Sequence, residues 1–90
     1  MNFCNSSMMK ARFIHSTLKD VKFIYCDLSR ASFRNSILQD VDFTGADLSE
    51  VDLSNVEIYN VIFNGAFYNH NTTWSENISL EEMGAIFKKD

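Results

Sequence analysis

The sequence predicts an all-β solenoid, a coil of short strands with four five-residue sides to each turn, and three observations predict it. Large apolar residues recur at every fifth position, small residues stand two positions before them, and identities line up again at a spacing of twenty. The large residues are Phe3, Met8, Phe13, Leu18, Phe23, Leu28, Phe33, Leu38, Phe43, Leu48, Leu53, Ile58, Phe63 and Tyr68. In a chain that is 46% hydrophobic, such an unbroken run in any of five frames has odds on the order of one in ten thousand, so it is a repeat and not composition.

Neither common element can use a period of five. A helix turns each residue by about 100°, so five steps land roughly 140° away and smear the apolar set around the cylinder. A strand alternates faces, so an odd step sends successive large residues to opposite sides. The pattern is satisfied if the chain turns a corner after each side, with the large residue and the small one before it both facing inward. The small set runs Ser6, Ala11, Ser16, Val21, Cys26, Ala31, Ser36, Val41, Ala46, Val51, Val56, Val61 and Ala66. The fifth residue of each side then falls at a corner, and it is often Asn, Asp or Gly, the types that tolerate positive φ: Asn5, Asp20, Asn35, Asp40, Gly45, Asn55, Asn60 and Gly65.

The spacing of twenty sets four sides to a coil. Phe3, Phe23, Phe43 and Phe63 coincide, as do Val21, Val41 and Val61, and Leu18, Leu38 and Ile58. Stacked coils place like on like, pair each backbone with the coils above and below, and fill a narrow interior at close-packed density.

On these residues the sequence resembles the pentapeptide-repeat family, whose unit is commonly written Ala-(Asp/Asn)-Leu-x-x. Ala46-Asp47-Leu48-Ser49-Glu50 matches it, and Val41-Asp42-Phe43 and Val51-Asp52-Leu53 are close variants. The resemblance implies a right-handed quadrilateral parallel β-helix over residues 1–70, about three and a half coils. Residues 71–90 look like a common family ending, with Thr72-Thr73-Trp74 leading to a short capping helix near 79–87. Ser79 with Glu82 three residues later is a capping-box signature in its own right. Leu80, Met83, Ile86 or Phe87, with Trp74, are expected to lie across the last coil.

Ninety residues make one domain at most. No run of eighteen apolar residues suits a membrane span, and no charged start followed by an apolar stretch reads as a secretion signal. Cys4 faces outward and Cys26 inward in the repeat frame, so no disulfide is expected and a cytoplasmic setting fits. The net charge of −4 hides a division. Residues 1–39 carry Lys10, Arg12, Lys19, Lys22, Arg30 and Arg34 against Asp20 and Asp27, a net +4. Residues 40–76 carry Asp40, Asp42, Asp47, Glu50, Asp52, Glu57 and Glu76 with no Lys or Arg, a net −7.

Strand edges at the ends of such a stack must be covered or blunted. The tail serves one end. The other leaves Phe3 and Met8 in an open first coil, which two copies stacking through their first coils, a partner chain, or a longer solenoid would explain. The homodimer is the preferred reading.

No catalytic, metal or cofactor residues are expected. His15 and His70 fall on different corner columns without ligand-type neighbours at metal spacing. No Ser or Cys stands with a base and an orienting group, and Cys26 and the inner serines read as small residues filling a slot. An exposed aspartate ladder such as Asp27 and Asp47 reads as solvated. Among apolar residues directed outward, Ile62 and Phe67 are expected under the tail, which leaves Ile24 and Tyr25 as candidate partner contacts. Asp42, Asp47 and Asp52 are the acidic candidates.

The reading that follows is a non-catalytic interaction or scaffold module with an unidentified protein partner. The alternative comes from the resemblance: some relatives, the quinolone-resistance proteins, protect DNA gyrase with a rod charged like duplex DNA. An acidic stretch under two coils high, roughly 9 Å, would match about five phosphates, but the basic half opposes it. Six basic residues without a stacking platform do not suggest nucleic-acid binding.

Overall fold

The computed structural model describes Ser7, residues 9–75, Ile78 and residues 83–88. The chain coils through seven short strands among these residues: β1 Thr17–Lys19, β2 Ile37–Gln39, β3 Asp52–Leu53, β4 Glu57–Tyr59, β5 Phe67–Tyr68, β6 Thr73–Trp74 and β7 Ile86–Phe87. All pairings are parallel, in the orders β1-β2-β4, β3-β6 and β5-β7. Single-residue bridges join the same walls elsewhere, as in Lys22 to Asp42 to Ile62 and Ser7 to Asp27 to Asp47 to Phe67. Thr17, Ile37 and Glu57 stand in register, so each coil takes twenty residues. The fold is a β-helix solenoid.

Each rung uses two bonds. Phe23 N–H donates to the Asp42 carbonyl at 2.7 Å, and Asp42 N–H donates to the Val21 carbonyl at 3.0 Å. The same pair recurs one coil on, from Phe43 to Ile62 at 2.7 Å and from Ile62 to Val41 at 3.0 Å. Such short strands would be unstable alone; stacking gives each backbone group a partner in the next coil.

Corners fall where the sequence puts them. Every fifth residue from Lys10 to Gly65 has φ between +53° and +72°. At several corners the carbonyl of the large residue accepts the N–H three residues on, Phe23 from Cys26 at 3.0 Å and Phe43 from Ala46 at 2.9 Å. Positive φ at the third turn residue is the signature of a type II turn. Lys10, His15, Tyr25, Arg30 and Glu50 take this conformation without the ease of Gly, Asn or Asp. Each costs about 1–2 kcal/mol, which the ladder around it offsets.

Large apolar side chains fill the interior. Phe23, Phe43 and Phe63 are buried and their rings stack, with centroids 5.3 and 5.1 Å apart. A second stack, Phe13 on Phe33 at 5.0 Å, meets the first edge to face, Phe33 to Phe43 at 5.7 Å. Val21, Val41 and Leu38 are buried with them, as is Cys26. Leu18, Ile58 and Val61 pack on this core but are half-buried. Phe3, Met8 and Cys4 lie outside the described residues.

The inner serines do more than fill a slot. Ser36 Oγ accepts the Ser16 N–H at 3.1 Å and donates to the Phe13 carbonyl of the coil before it. Ser75 Oγ repeats the device, accepting the Val56 N–H at 2.7 Å and lying 3.1 Å from the Leu53 carbonyl. A hydroxyl that both accepts and donates satisfies two inward-facing backbone groups, which no aliphatic side chain can.

The tail departs from expectation. Instead of a helix over 79–87, Met83 and Gly84 form a turn and Ile86–Phe87 is the strand β7; residues 79–82 lie outside the described residues. Phe67 faces Ile86, nineteen residues on, and Asp52 faces Thr73, twenty-one on, so the tail adds further rungs with a shifted register. The reason is energetic. β7 pairs an open strand edge and sets Phe87 against Tyr68, ring centroids 5.4 Å apart, and a helix through 86–87 would leave that edge unpaired. Gly84 makes this turn at φ +86°, with its carbonyl accepting the Gly65 N–H at 2.9 Å. On its first wall the stack runs five levels, Ser7, Asp27, Asp47, Phe67 and Ile86, roughly 19 Å from first to last.

Candidate interaction surface

The walls are built by the residues between the inward pair. Asp42, Asp47 and Asp52 are half-buried, and each turns its Oδ1 onto its own strand end. Asp42 Oδ1 accepts the Thr44 N–H at 2.8 Å, Asp47 Oδ1 the Ser49 N–H at 3.0 Å, and Asp52 Oδ1 the Ser54 N–H at 2.9 Å. Asp27 does the same with Ser29 at 3.1 Å. This is the Asx turn, a side chain standing in for a backbone acceptor just before a corner. The acid of the repeat motif is thus a staple for the turn as well as a surface charge. Asp42→Ala is expected to lower stability by about 1–2 kcal/mol, while Asp42→Asn, which keeps the carbonyl oxygen, should lie within a few tenths of the parent in a urea titration.

Corner side chains make ladders of their own. Asn60 Nδ2 donates to Asp40 Oδ1 at 2.7 Å, and Arg30 Nε meets Glu50 Oε2 at 3.1 Å. The ion pair is well exposed, 57% and 40% at its two side chains, so screening holds its contribution below about 1 kcal/mol. Along the walls charge changes sign with height: Arg12 lies below Ser32 and Asp52, and Lys22 below Asp42.

Of the candidate apolar contacts, Ile24 is half-buried and Tyr25 is exposed. The Tyr25 ring lies along the corner over Gly45, in the space a Cβ at that glycine would occupy. Phe67 is half-buried, with Ile86 beside it and Lys88 Nζ 5.6 Å from its ring centre, whereas Ile62 stays exposed. His15 is an exposed corner residue, and the His70 ring lies 4.8 Å from that of Phe87. Among the described residues no group of three or more His, Cys, Asp or Glu could hold a metal ion, and no helix is long and apolar enough to cross a membrane.

The feature that periodicity missed is the end of the stack. Trp74 stands in register with Leu53, and Phe87 with Tyr68. In-register neighbours of a parallel pair share a face, so both rings belong to inward positions. Leu53 is fully buried and Tyr68 nearly so, but Trp74 is 38% and Phe87 44% exposed. Both rings meet Tyr68 edge to face, at 5.5 and 5.4 Å. Ile86 is exposed as well, whereas Ile78 is buried in the core. The signal available in the sequence was the near-twenty spacing of Trp74 from Leu53 and of Phe87 from Tyr68.

Comparison with known proteins agrees with this geometry. The family described as "Pentapeptide repeats" matches residues 26–65 in 8 copies. Residues 26–65 carry the pentapeptide repeat. A solved pentapeptide-repeat protein, alr5209 from Nostoc Pcc 7120, has the same fold, with a TM-score of 0.55 over 97% of this chain and 80% of that one at 22% identity. No curated protein matches the sequence significantly. In pentapeptide-repeat terms, the large residue is the repeat centre, the aspartate before it is the turn staple, and the exposed rings are centres of the last coil.

Proposed function

We propose that this chain is a non-catalytic protein-interaction module, working in the cytoplasm, and that it binds through the aromatic end of its last coil. The observation that carries the reading is the exposure of Trp74 and Phe87, two repeat centres, beside exposed Ile86. Exposed aromatic groups with a polar rim are where protein interfaces concentrate their energy. Ile24 and Tyr25 on the wall below supply a lesser contact. The coil is proposed to be the right-handed quadrilateral form, the hand that parallel crossover connections almost always take.

The test is affinity capture from the native host with the chain and two variants. Loss of a specific partner with Trp74→Lys and Phe87→Lys, and its retention with Asp42, Asp47 and Asp52 all changed to Asn, is the expected result. Retention with both variants would overturn the assignment of the surface.

A second reading, a short acidic mimic of DNA acting on an enzyme such as gyrase, draws on the −7 of residues 40–76. It predicts that the chain alters gyrase supercoiling and that the triple Asn variant, whose turns stay stapled, does not. We expect no effect from either.

A further inference from the structure

We propose that copies of this chain stack head to tail, the last coil of one on the first coil of the next; this rests on the surface assigned above and names its partner. Both ends of the stack show inward residues without full cover. Ala11, Phe13 and Leu18 are half-buried, whereas Ala31, Phe33 and Leu38, one coil higher in the same columns, are 1%, 0% and 0% exposed. At the far end Trp74 and Phe87 are the uncovered pair. Among the described residues, the inward positions at each end are less covered than their equivalents in the middle of the stack.

The strand edges agree. β1 is an outer strand of its sheet, as are β6 and β7 of theirs. A head-to-tail joint, with one copy turned about the stack axis, sets β1 on β6 or on β7 in the parallel sense that every described pairing uses. A symmetric joint, first coil to first coil or last to last, would turn one set around.

Charge decides between the two. A symmetric joint through first coils sets Lys10, Arg12, Lys19 and Lys22 against their own copies. One through last coils brings together two chain halves that each carry −7 over residues 40–76. Head-to-tail stacking places the +4 half of one copy next to the other half of another, which carries −7 over residues 40–76 and −1 over residues 77–90. With a coil rise of about 4.8 Å and a screening length of about 8 Å at physiological salt, the charges within one or two coils of the joint are felt. The result differs from the symmetric dimer that the open first coil suggests from sequence. A head-to-tail contact uses two different surfaces and does not close, so growth continues past the dimer.

The experiment is sedimentation velocity on the whole chain over a wide concentration range, at low and high salt, with two variants. One blocks the last coil by Trp74→Lys with Phe87→Lys, the other blocks the first by Arg12→Glu with Lys22→Glu. A far-UV spectrum checks that each is folded, and Trp74→Gln replaces the first variant if it is not. The parent is expected to grow past a dimer with concentration and to shrink toward monomer in high salt. Each variant alone is expected to stay monomeric, and their mixture to form a complex of two and no more.

A first-coil variant that dimerises alone would mean last-to-last pairing, and a last-coil variant that does so would mean first-to-first pairing. Either overturns the proposal. A parent that is monomeric throughout also overturns it, and leaves the interaction module standing if partner capture still depends on Trp74 and Phe87.

Discussion

Phe43→Ala is expected to lower the unfolding free energy by about 3–5 kcal/mol. The ring stacks on Phe23 and Phe63 at 5.3 and 5.1 Å and meets Phe33 edge to face at 5.7 Å. It is fully buried, so its removal forfeits the transfer of the whole side chain and leaves a cavity that stacked backbones cannot close. A small domain has a total stability of about 5–15 kcal/mol, so this one change removes a large share of it. The position is also central, and in a one-dimensional stack a broken middle uncouples both ends. A urea or guanidinium midpoint measures the effect. Phe13→Ala, at a half-buried position on the second stack, should cost clearly less; equal losses at the two positions would contradict the picture of a filled interior that thins toward its first coil.

Ser36→Ala is the second large effect, and it separates two accounts of the repeat. By periodicity alone the change is harmless, since Ala31 and Ala46 occupy equivalent inward positions. By the hydrogen bonds it is not. Ser36 is 1% exposed, and its hydroxyl is the acceptor for the Ser16 N–H and the donor to the Phe13 carbonyl. Alanine leaves both backbone groups, which lie in half-buried residues, without that partner, so a loss of about 1–3 kcal/mol is expected. Ser16→Ala is the control. Ser16 Oγ donates to the Ile14 carbonyl, just across the His15 corner, at 3.4 Å, and its removal should cost less than about 1 kcal/mol. Denaturant midpoints for the two variants, measured side by side, decide; the same small loss from both would show that the serine is only a small residue.

The contrast between Ser36 and its alanine equivalents shows what the sequence made legible. Period five and period twenty are written in residue size, and size is what a narrow interior selects, so Phe23, Val41 and Leu38 could be placed inside before any coordinates. Corners were equally plain, because a left-handed residue recurs at fixed intervals and Gly45 and Asn60 advertise it. Less plain was the partner of each polar atom. Asp47 could be read as a surface charge, and only the turn geometry shows its Oδ1 on the Ser49 N–H. Chemistry of this kind depends on which backbone group a side chain can reach, which periodicity does not record.

The tail was misread for a related reason. The helix predicted near 79–87 gives way over Met83–Phe87 to a turn and a strand, because local signals are weak against an open strand edge. Registers of twenty-one and then nineteen break the period of five, so Trp74, Gly84 and Phe87 lie off the frame that found everything before them. Their roles as centre, corner and centre follow once pairing is known. The exposed end of the stack was hidden by the same shift, since nothing in the frame marked Trp74 as an inward residue.

The claim beneath all of this is that residues twenty apart lie one above the other. Nuclear Overhauser contacts on the whole chain test it most directly. Stacking in register predicts contacts between the ring protons of Phe23 and Phe43 and of Phe43 and Phe63, together with backbone contacts linking Lys22 to Asp42 and Asp42 to Ile62. Backbone contacts confined to residues three and four apart, with none between these phenylalanines, would contradict it.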